Sequence, residues 1–433
     1  MSLRFTTEGF FLWNFVYIVI RIVEFVPIEI RMSAFQLVLF DDEFREQFLP
    51  LAWTKPVADF RVGIFTIREK WEQYLKSVST TWTNDDLAEF AFPFEPDLTR
   101  QQIWINGRII PTGAIAYEVL ALKEGEALIK DDLLIAVNNG KSGDAISLNV
   151  KDHLTGNFSV KDTSTSVIVL QRINDIFRHN GQAIVQDFEL VGSSTSGKLN
   201  SSNTIIGSHA VYVGKNVSAE ACIINTTKGP VYIGDNAEIM EGALLRGPLA
   251  ICDGATVKMG AKIYGDTTIG PGCKVGGEIS NSVFFANSNK AHDGFIGNSV
   301  IGEWCNLGAD TNCSNLKNNY GEISVYNYAI GGNENTGLQF HGLIMGDHAK
   351  CGINTMFNTG TVIGICANIF GGGFPSKFVP DFVWGGIDGI AEHQIEKAIE
   401  TIQRVYSRRN KKLSDEEILL LKTIFKKTVK LRS

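Results

Sequence analysis

Aliphatic side chains recur at every sixth position along one stretch of the chain, at Ile233, Ile239, Leu245, Ile251, Val257, Ile263, Ile269 and Val275. A small side chain follows four residues after several of them, at Ala237, Ala243, Ala255, Ala261 and Thr267, and glycine follows directly at Gly234, Gly270 and Gly276. A six-residue period fits neither a helix face nor the two-residue alternation of a lone strand. It predicts a coil with flat faces, in which each hexad forms one side of a triangular prism, the aliphatic residue points inward, and successive coils pair as parallel strands. The period lapses after Ile279, resumes at Ile301 and Leu307, and returns at Met345, Cys351, Phe357, Ile363 and Ile369. The two lapses, 281–295 and 312–342, are rich in Asn, Gly and His, and are expected to leave the prism as loops, where ligand contacts concentrate.

Upstream the pattern changes. Short apolar runs at Phe35–Phe40, 102–105, 133–137 and 165–170 read as strands and 68–76 as a helix, which predicts an α/β domain over 32–200 that ends in a Ser/Gly/Thr-rich linker, 193–202. The coil is expected over 201–385. Beyond it, Ile395, Ile399, Ile402 and Tyr406 mark one helix, and Ser414 with Glu417 forms a capping box for a second within 386–433. The basic residues at the chain's end read as a solvated helix face. The first 31 residues are set apart, because the apolar stretch 10–30 is interrupted by Asn14, Arg21, Glu24 and Pro27 and is followed by no small-residue cleavage site. The expectation is a start assigned too early, with Met32 the true start, and a peripheral amphipathic membrane helix is the functional alternative.

At 433 residues the chain exceeds one hydrophobic core, and a net charge of −7 argues against nucleic acid as a partner. Small molecules and other subunits remain. All seven cysteines lie between Cys222 and Cys366 without zinc-like spacing, so they are expected to be reduced, small apolar residues of a cytoplasmic protein.

The chemistry sits in the lapses. Transfer of an acyl group from a thioester to an amine needs a base for the amine proton, donors for the developing oxyanion and a slot that positions both substrates. The first lapse offers a histidine in Lys290-Ala-His292-Asp-Gly-Phe-Ile-Gly297. The second offers carboxamides and an amine in Gly308-Ala-Asp-Thr-Asn-Cys-Ser-Asn315-Leu-Lys317-Asn-Asn-Tyr320. These segments, with Ile344-Met-Gly346-Asp-His348 leading into further hexads, resemble the acetyltransferase half of the bifunctional N-acetylglucosamine-1-phosphate uridyltransferase/glucosamine-1-phosphate N-acetyltransferase family over about 205–380. That family carries Lys-Ala-Gly-His, then Gly-Ala-Gly-Thr and a Thr-Cys-Asn-Tyr loop. This chain lacks one position between Lys290 and His292, and has Asp310 and Leu316 where the family has Gly and Tyr. The resemblance implies a left-handed parallel β-helix, His292 as general base, and Lys290, Asn315 and Lys317 as contacts to a sugar phosphate. It also implies acetyl-CoA along the hexads at Gly346, Gly352, Ile353 and Gly371, and a homotrimer. His341 and His348 read as structural, and with His292 they do not reproduce the three-histidine metal site of a γ-type carbonic anhydrase, which shares the coil.

The first half resembles the nucleotidyltransferase domain of the same family, a Rossmann-like α/β fold. After the first strand, Arg45, Pro50-Leu51, Thr54-Lys55-Pro56 and Val62-Gly63 fall about where the family has its Arg, Pro-Leu, Pro-Lys-Pro and Val-Gly. The glycines of the family's phosphate loop are replaced by Asp41-Asp42-Glu43, and the strand that ends in a Mg²⁺-binding Asp there ends here in Asn106-Gly107-Arg108. The Phe-Asp-Asp-Glu opening and the Trp-Ile-Asn-Gly-Arg strand end resemble an alternative branch of the family found in bacteria of the Bacteroidetes kind. The implied phosphate contacts are Arg45, Lys55, Arg61 and Arg108, with Asp41 and Asp42 as ligands for Mg²⁺; surface ion pairing is the plain alternative for each. The expectation is therefore acetyl transfer to a glucosamine-type sugar 1-phosphate followed by nucleotidyl transfer from UTP or dTTP. The alternatives are an acetyltransferase with a degenerate first domain, and an oligomerisation scaffold without chemistry.

Overall fold

The sixfold period closes into a prism with three parallel faces. In the computed structural model the described residues are 35–83, 85–141, 158–192 and 196–432. The stretch 10–30, Met32 and part of the linker, 193–195, lie outside them. One face has nine strands, from Val211–Val213 to Phe378–Val379, and a second has ten, from Ser218–Ala219 to Gly389–Glu392. The third has six, from Thr204–Ile206 to Phe295–Gly297, and is extended by the pair Asn312–Cys313 and Met356–Phe357. Registers stack like on like: Ile233, Ile251, Ile269, Phe284, Ile301, Met345 and Ile363 form one inward ladder. Left-handed residues such as Asn236, Asn354 and Asp310 turn the corners, a conformation in which Asn and Asp are tolerated better than branched residues. The fold is an α/β domain followed by a left-handed parallel β-helix with helices at its C-terminus.

The first lapse is not a loop. Its residues form the rungs Val283–Phe284, Asn289–Lys290 and Phe295–Gly297, and Phe284, Lys290 and Ile296 keep the six-residue spacing and point inward. The phase slips because the corner between Val275 and Ile279 is shortened through Gly276 and Gly277, the latter in the left-handed region at φ 73°. The second lapse does leave the prism after Cys313 and carries the hairpin Ser324–Asn327/Gly332–Asn335.

In the first domain Ser79–Trp82, Phe35–Phe40 and Gln101–Asn106 are parallel, in that spatial order, and Leu133–Asn138, Glu126–Lys130 and Ser159–Asp162 continue the sheet. The run at 165–170 reduces to Ile168–Val169, paired with Ile109–Ile110. The helix expected at 68–76 spans Ile67–Leu75, with a capping box from Thr66 and Glu69. A longer helix, Asp175–Val191, packs this domain broadside on the nine-stranded face.

The packing is continuous. Phe60, Trp71 and Phe177 share one apolar core with Val283, Val300, Ile344 and Val362, the outward residues of the coil. Full burial of one such side chain stabilises by roughly 1.5–3 kcal/mol, so the interface contributes several times that. Polar bonds fix its register: Thr268 Oγ1 donates to the Gly63 carbonyl at 2.9 Å and Asn180 Nδ2 to the Asp266 carbonyl at 2.9 Å. The helices Ile395–Ser407 and Asp415–Lys427 cover a second flank, against Trp304, Ile365 and Phe382. All seven cysteines are free and buried. Among the described residues, no helix is long and apolar enough to cross a membrane.

Candidate functional site

Register along the ten-stranded face decides which corners stack. Lys290 pairs with Val275, Asn289 with Asn306, Leu307 with Cys351, and Cys351 with Ile369. Two residues beyond each inward position the chain turns, so His292, Ala309, Ile353 and Gly371 follow one another along a single edge of the prism. Asn354 N–H donates to the Ala309 carbonyl at 2.8 Å, which ties two of these corners together. At Gly308 an added Cβ would stand 2.3 Å from the Gly352 carbonyl, so the edge is bare where the corners meet. His292 is exposed, and its imidazole has no hydrogen-bond partner among the described residues. Ile353 is 70% exposed on the same edge. Gly352, Ile353 and Gly371 thus share the edge with His292, while Gly346 lies at the next corner, where its Cβ would meet Ile365.

Lys290 occupies an inward position in place of an aliphatic residue. It is fully buried, and its Nζ donates to the carbonyls of His292 at 2.6 Å and Asp293 at 2.7 Å. Burial pushes its pKa down to about 8, against the pull of Asp293, Cys351 and Asp310. Its ammonium holds the histidine's corner from within the prism.

The carboxamides sit at both ends of the next rung, Phe295–Gly297. Asn312 Oδ1 accepts from Phe295 N–H at 2.8 Å, and Asn315 Nδ2 donates to Asn298 Oδ1 at 2.8 Å. Lys317 Nζ bonds the Glu322 carbonyl within the excursion. His292 and Asn315 are therefore separated by the length of the rung Phe295–Gly297, roughly 10 Å at 3.3 Å per residue. His341 and His348 are buried, the first edge-on to Phe177 and the second beside Asp347.

The four candidate phosphate contacts of the first domain are each engaged internally. Arg45 pairs with Asp41 at 3.2 Å and bonds the Ala52 carbonyl. Lys55 is buried against Asp347 of the coil, with Glu303 at 3.6 Å; burial alone would lower its pKa, and the two carboxylates outweigh burial and raise it. Arg61 bonds the Ile64 carbonyl and lies 3.4 Å from Glu69. Arg108 Nε meets both oxygens of Asp42, at 2.8 and 2.9 Å, its Nη1 donates to the Leu170 carbonyl, and its guanidinium lies 4.5 Å from the Phe44 ring. Asn106 Nδ2 donates to the same carboxylate at 2.9 Å. Asp41 also accepts from Val57 N–H at 2.9 Å and Thr83 Oγ1 at 2.6 Å. Asp41 and Asp42 thus each face an arginine, and no cluster of three or more His, Cys, Asp or Glu forms among the described residues. Paired in this way, the two carboxylates do not fit a divalent cation.

Residues 37–196 match the model of the sugar nucleotidyl transferase family. Over the wider chain, a bifunctional sugar-1-phosphate nucleotidylyltransferase/acetyltransferase of Sulfurisphaera tokodaii is 36% identical across 35% of this chain and 38% of its own length. A bifunctional protein GlmU of Clostridium kluyveri is 27% identical across 49% of this chain and 47% of its own. A GlmU of Methanococcus maripaludis is 34% identical across 20% of each. The chain thus spans between about a fifth and a half of the length of these curated relatives.

Several partners were silent in the sequence. Asp347, Glu303 and Asn298 carry no local motif, since each acquires its meaning from a residue brought close by the fold. Asn106 was visible as a strand end but not as a partner of Asp42. Lys290 left one signal, its six-residue spacing from Phe284 and Ile296, which a search for aliphatic positions alone passes over.

Proposed function

We propose that the coil transfers the acetyl group of acetyl-CoA to the amine of a glucosamine-type sugar 1-phosphate, and that the first domain joins the product to a nucleotide from UTP or dTTP. The observation that carries this reading is the edge on which His292, Ala309, Ile353 and Gly371 line up, in a chain whose residues 37–196 match sugar nucleotidyl transferases. The amine nitrogen attacks the thioester carbonyl, His292 takes the amine proton, and the C–S bond breaks to release coenzyme A. The small side chains at Ala309 and Gly371 leave room for the pantetheine arm to run up the edge past Gly352 and Ile353. Lys290 acts as a positioning residue rather than a phosphate contact, and Asn315 and Lys317 face the sugar phosphate. Arg45, Lys55 and Arg61 hold the first domain in shape, which leaves Arg108 as its phosphate contact. In nucleotidyl transfer Mg²⁺ would neutralise the triphosphate; no step is assigned to Asp41 or Asp42 in their paired arrangement.

A homotrimer suits the third face, whose outer side exposes Ile206 and, around a cavity of about 240 Å³, Ile223, Leu244 and Tyr264. Such an apolar patch on a soluble chain calls for a partner, and a neighbouring copy would bring further groups to the gap between His292 and Asn315. The net charge of −7 sets nucleic acid aside, and a cytoplasmic location fits reduced cysteines.

The test is a coupled assay with acetyl-CoA, glucosamine 1-phosphate, UTP and Mg²⁺, in which free thiol and pyrophosphate are followed separately. Both signals support the two activities together, and the absence of thiol release overturns the acetyltransferase. Thiol without pyrophosphate supports a second reading, acetyl transfer alone, which is favoured by one observation: Arg108 is already occupied by Asp42.

A further inference from the structure

The parallel strands of the first domain run in the spatial order second, first, third, so the carboxyl ends of Phe35–Phe40 and Gln101–Asn106 lie side by side, and the chain beyond each packs into the same apolar core. Open α/β sheets bind their ligands at the carboxyl ends of their parallel strands, where the strand order reverses. The residues there are Asp41-Asp42 after the first of these strands and Asn106-Gly107-Arg108 at the end of the other. Gly107 brings the two ends close, since its N–H bonds the Phe40 carbonyl at 2.8 Å and an added Cβ would stand 3.1 Å from that oxygen.

Arg108 and Asn106 together make a receptor for a planar or tetrahedral oxyanion. The guanidinium, 3% exposed, is oriented by the Leu170 carbonyl on one side and the Phe44 ring on its face, and it presents Nε and Nη2 to one acceptor group. Asn106 adds a third donor from the neighbouring position. Arginine held in this fork geometry recognises carboxylate and phosphate alike. In this chain the acceptor is internal: the Asp42 carboxylate receives all three donors.

We propose that Asp42 is a resident stand-in for a nucleotide phosphate, and that ligand and Asp42 compete for the receptor formed by Arg108 and Asn106. The ligand class is a nucleoside triphosphate or its pyrophosphate product, an inference that rests on the nucleotidyl-transfer reading of the first domain. Binding then requires the Asp42 side chain to leave, and at rest the site is closed by the chain's own charge. Acid in place of glycine in the loop after the first strand is thus the device that gates the site.

The experiment measures UTP and inorganic pyrophosphate binding to the full chain by calorimetry, with and without Mg²⁺, for the wild type, Asp42→Asn, and Asp42→Asn combined with Arg108→Met. Asparagine keeps the shape and the capping acceptor for Phe44 N–H, so the single variant should fold. The expected result is at least tenfold tighter binding by Asp42→Asn, lost again in the double variant. Unchanged or weaker binding by Asp42→Asn overturns the proposal, and weaker binding seen only with Mg²⁺ would assign Asp42 to the metal instead. Tighter binding without pyrophosphate release in the coupled assay would uphold the competition while removing nucleotidyl transfer, so the two readings fail separately.

Discussion

Replacing Asp347 with Asn tests whether the first domain and the coil are held by a buried charge pair. Asp347 Oδ2 receives Lys55 Nζ and Thr54 Oγ1 from the first domain, and its Oδ1 accepts Glu303 N–H at 2.7 Å within the coil. The side chains of Lys55 and Asp347 are 9% and 3% exposed, so little water screens them. Asparagine keeps the acceptor for Glu303 N–H but leaves the Lys55 cation buried beside only Glu303, at 3.6 Å. Removing one partner of a buried pair costs about 3–5 kcal/mol; the residual Glu303 contact puts the expected loss at the low end, about 3 kcal/mol. That corresponds to a fall in Tm of roughly 6–12 °C at about 2–4 °C per kcal/mol. Urea denaturation followed by circular dichroism and tryptophan fluorescence reads it directly, and the shared core predicts that both probes move together. Lys55→Met combined with Asp347→Asn should lose at least about 2 kcal/mol less than the two single changes added, the signature of a direct pair. Strict additivity, or a loss under about 1 kcal/mol for Asp347→Asn, would refute the reasoning. A large rise in KM for UTP in Lys55→Met at unchanged stability would return that lysine to the phosphate site.

Other expectations follow from the same geometry. His292→Ala should lower kcat for acetylation by about 10²–10⁴ with little change in Tm, the range for loss of a general base, and an unchanged rate in the thiol-release assay would remove it from the mechanism. Lys290→Met should lower kcat more than it raises KM for the sugar phosphate, because its ammonium holds the histidine's corner from inside; a pure KM effect would restore it as a substrate contact. Ile353→Glu should raise KM for acetyl-CoA at least about tenfold and leave the pyrophosphate signal alone. Burial holds the pKa of His341 down at about 4 against 6.5 in the unfolded chain. Between those values only the unfolded chain gains the proton, so stability falls as pH drops through this window, by up to roughly 3 kcal/mol at 1.36 kcal/mol per pKa unit. His341→Leu should flatten that part of the stability profile, and an identical acid slope would show that other groups set it.

The prism was legible because each hexad repeats one physical demand, an apolar side chain facing inward, at a fixed spacing. The rung through Lys290 was not, since polarity hid an interior position whose amine is satisfied by two carbonyls just along its own chain. The helix Asp175–Val191 is masked in the sequence for a related reason: its buried face mixes Ile176 and Ile184 with Asn180 and Asp187, which bond the first domain and the coil. Lys55 and Asp347 stand 292 positions apart, and no local pattern can pair them before the domains are docked. Arg108 is legible as a cation at a strand end, but its pairing with Asp42 is not, because the sequence shows the acid and the base in separate segments.

These charged residues have a feature in common that bears on function. A cation near a recognised frame invites assignment to phosphate, but burial makes any unpaired charge costly, so the fold supplies internal partners wherever no ligand is permanently present. Arg45, Lys55 and Arg61 are paired within structural turns or across the domain interface, where a ligand would have to dismantle packing to reach them. Arg108 differs in its place, at the carboxyl end of a strand beside the reversal of strand order, and in its partner, a side chain that caps a short turn outside the strands. On the proposed reading, nucleotide chemistry in the first domain depends on the release of one aspartate, whereas acetyl transfer on the coil requires no such release, so mutation of Asp42 alone should change the first activity without touching the second.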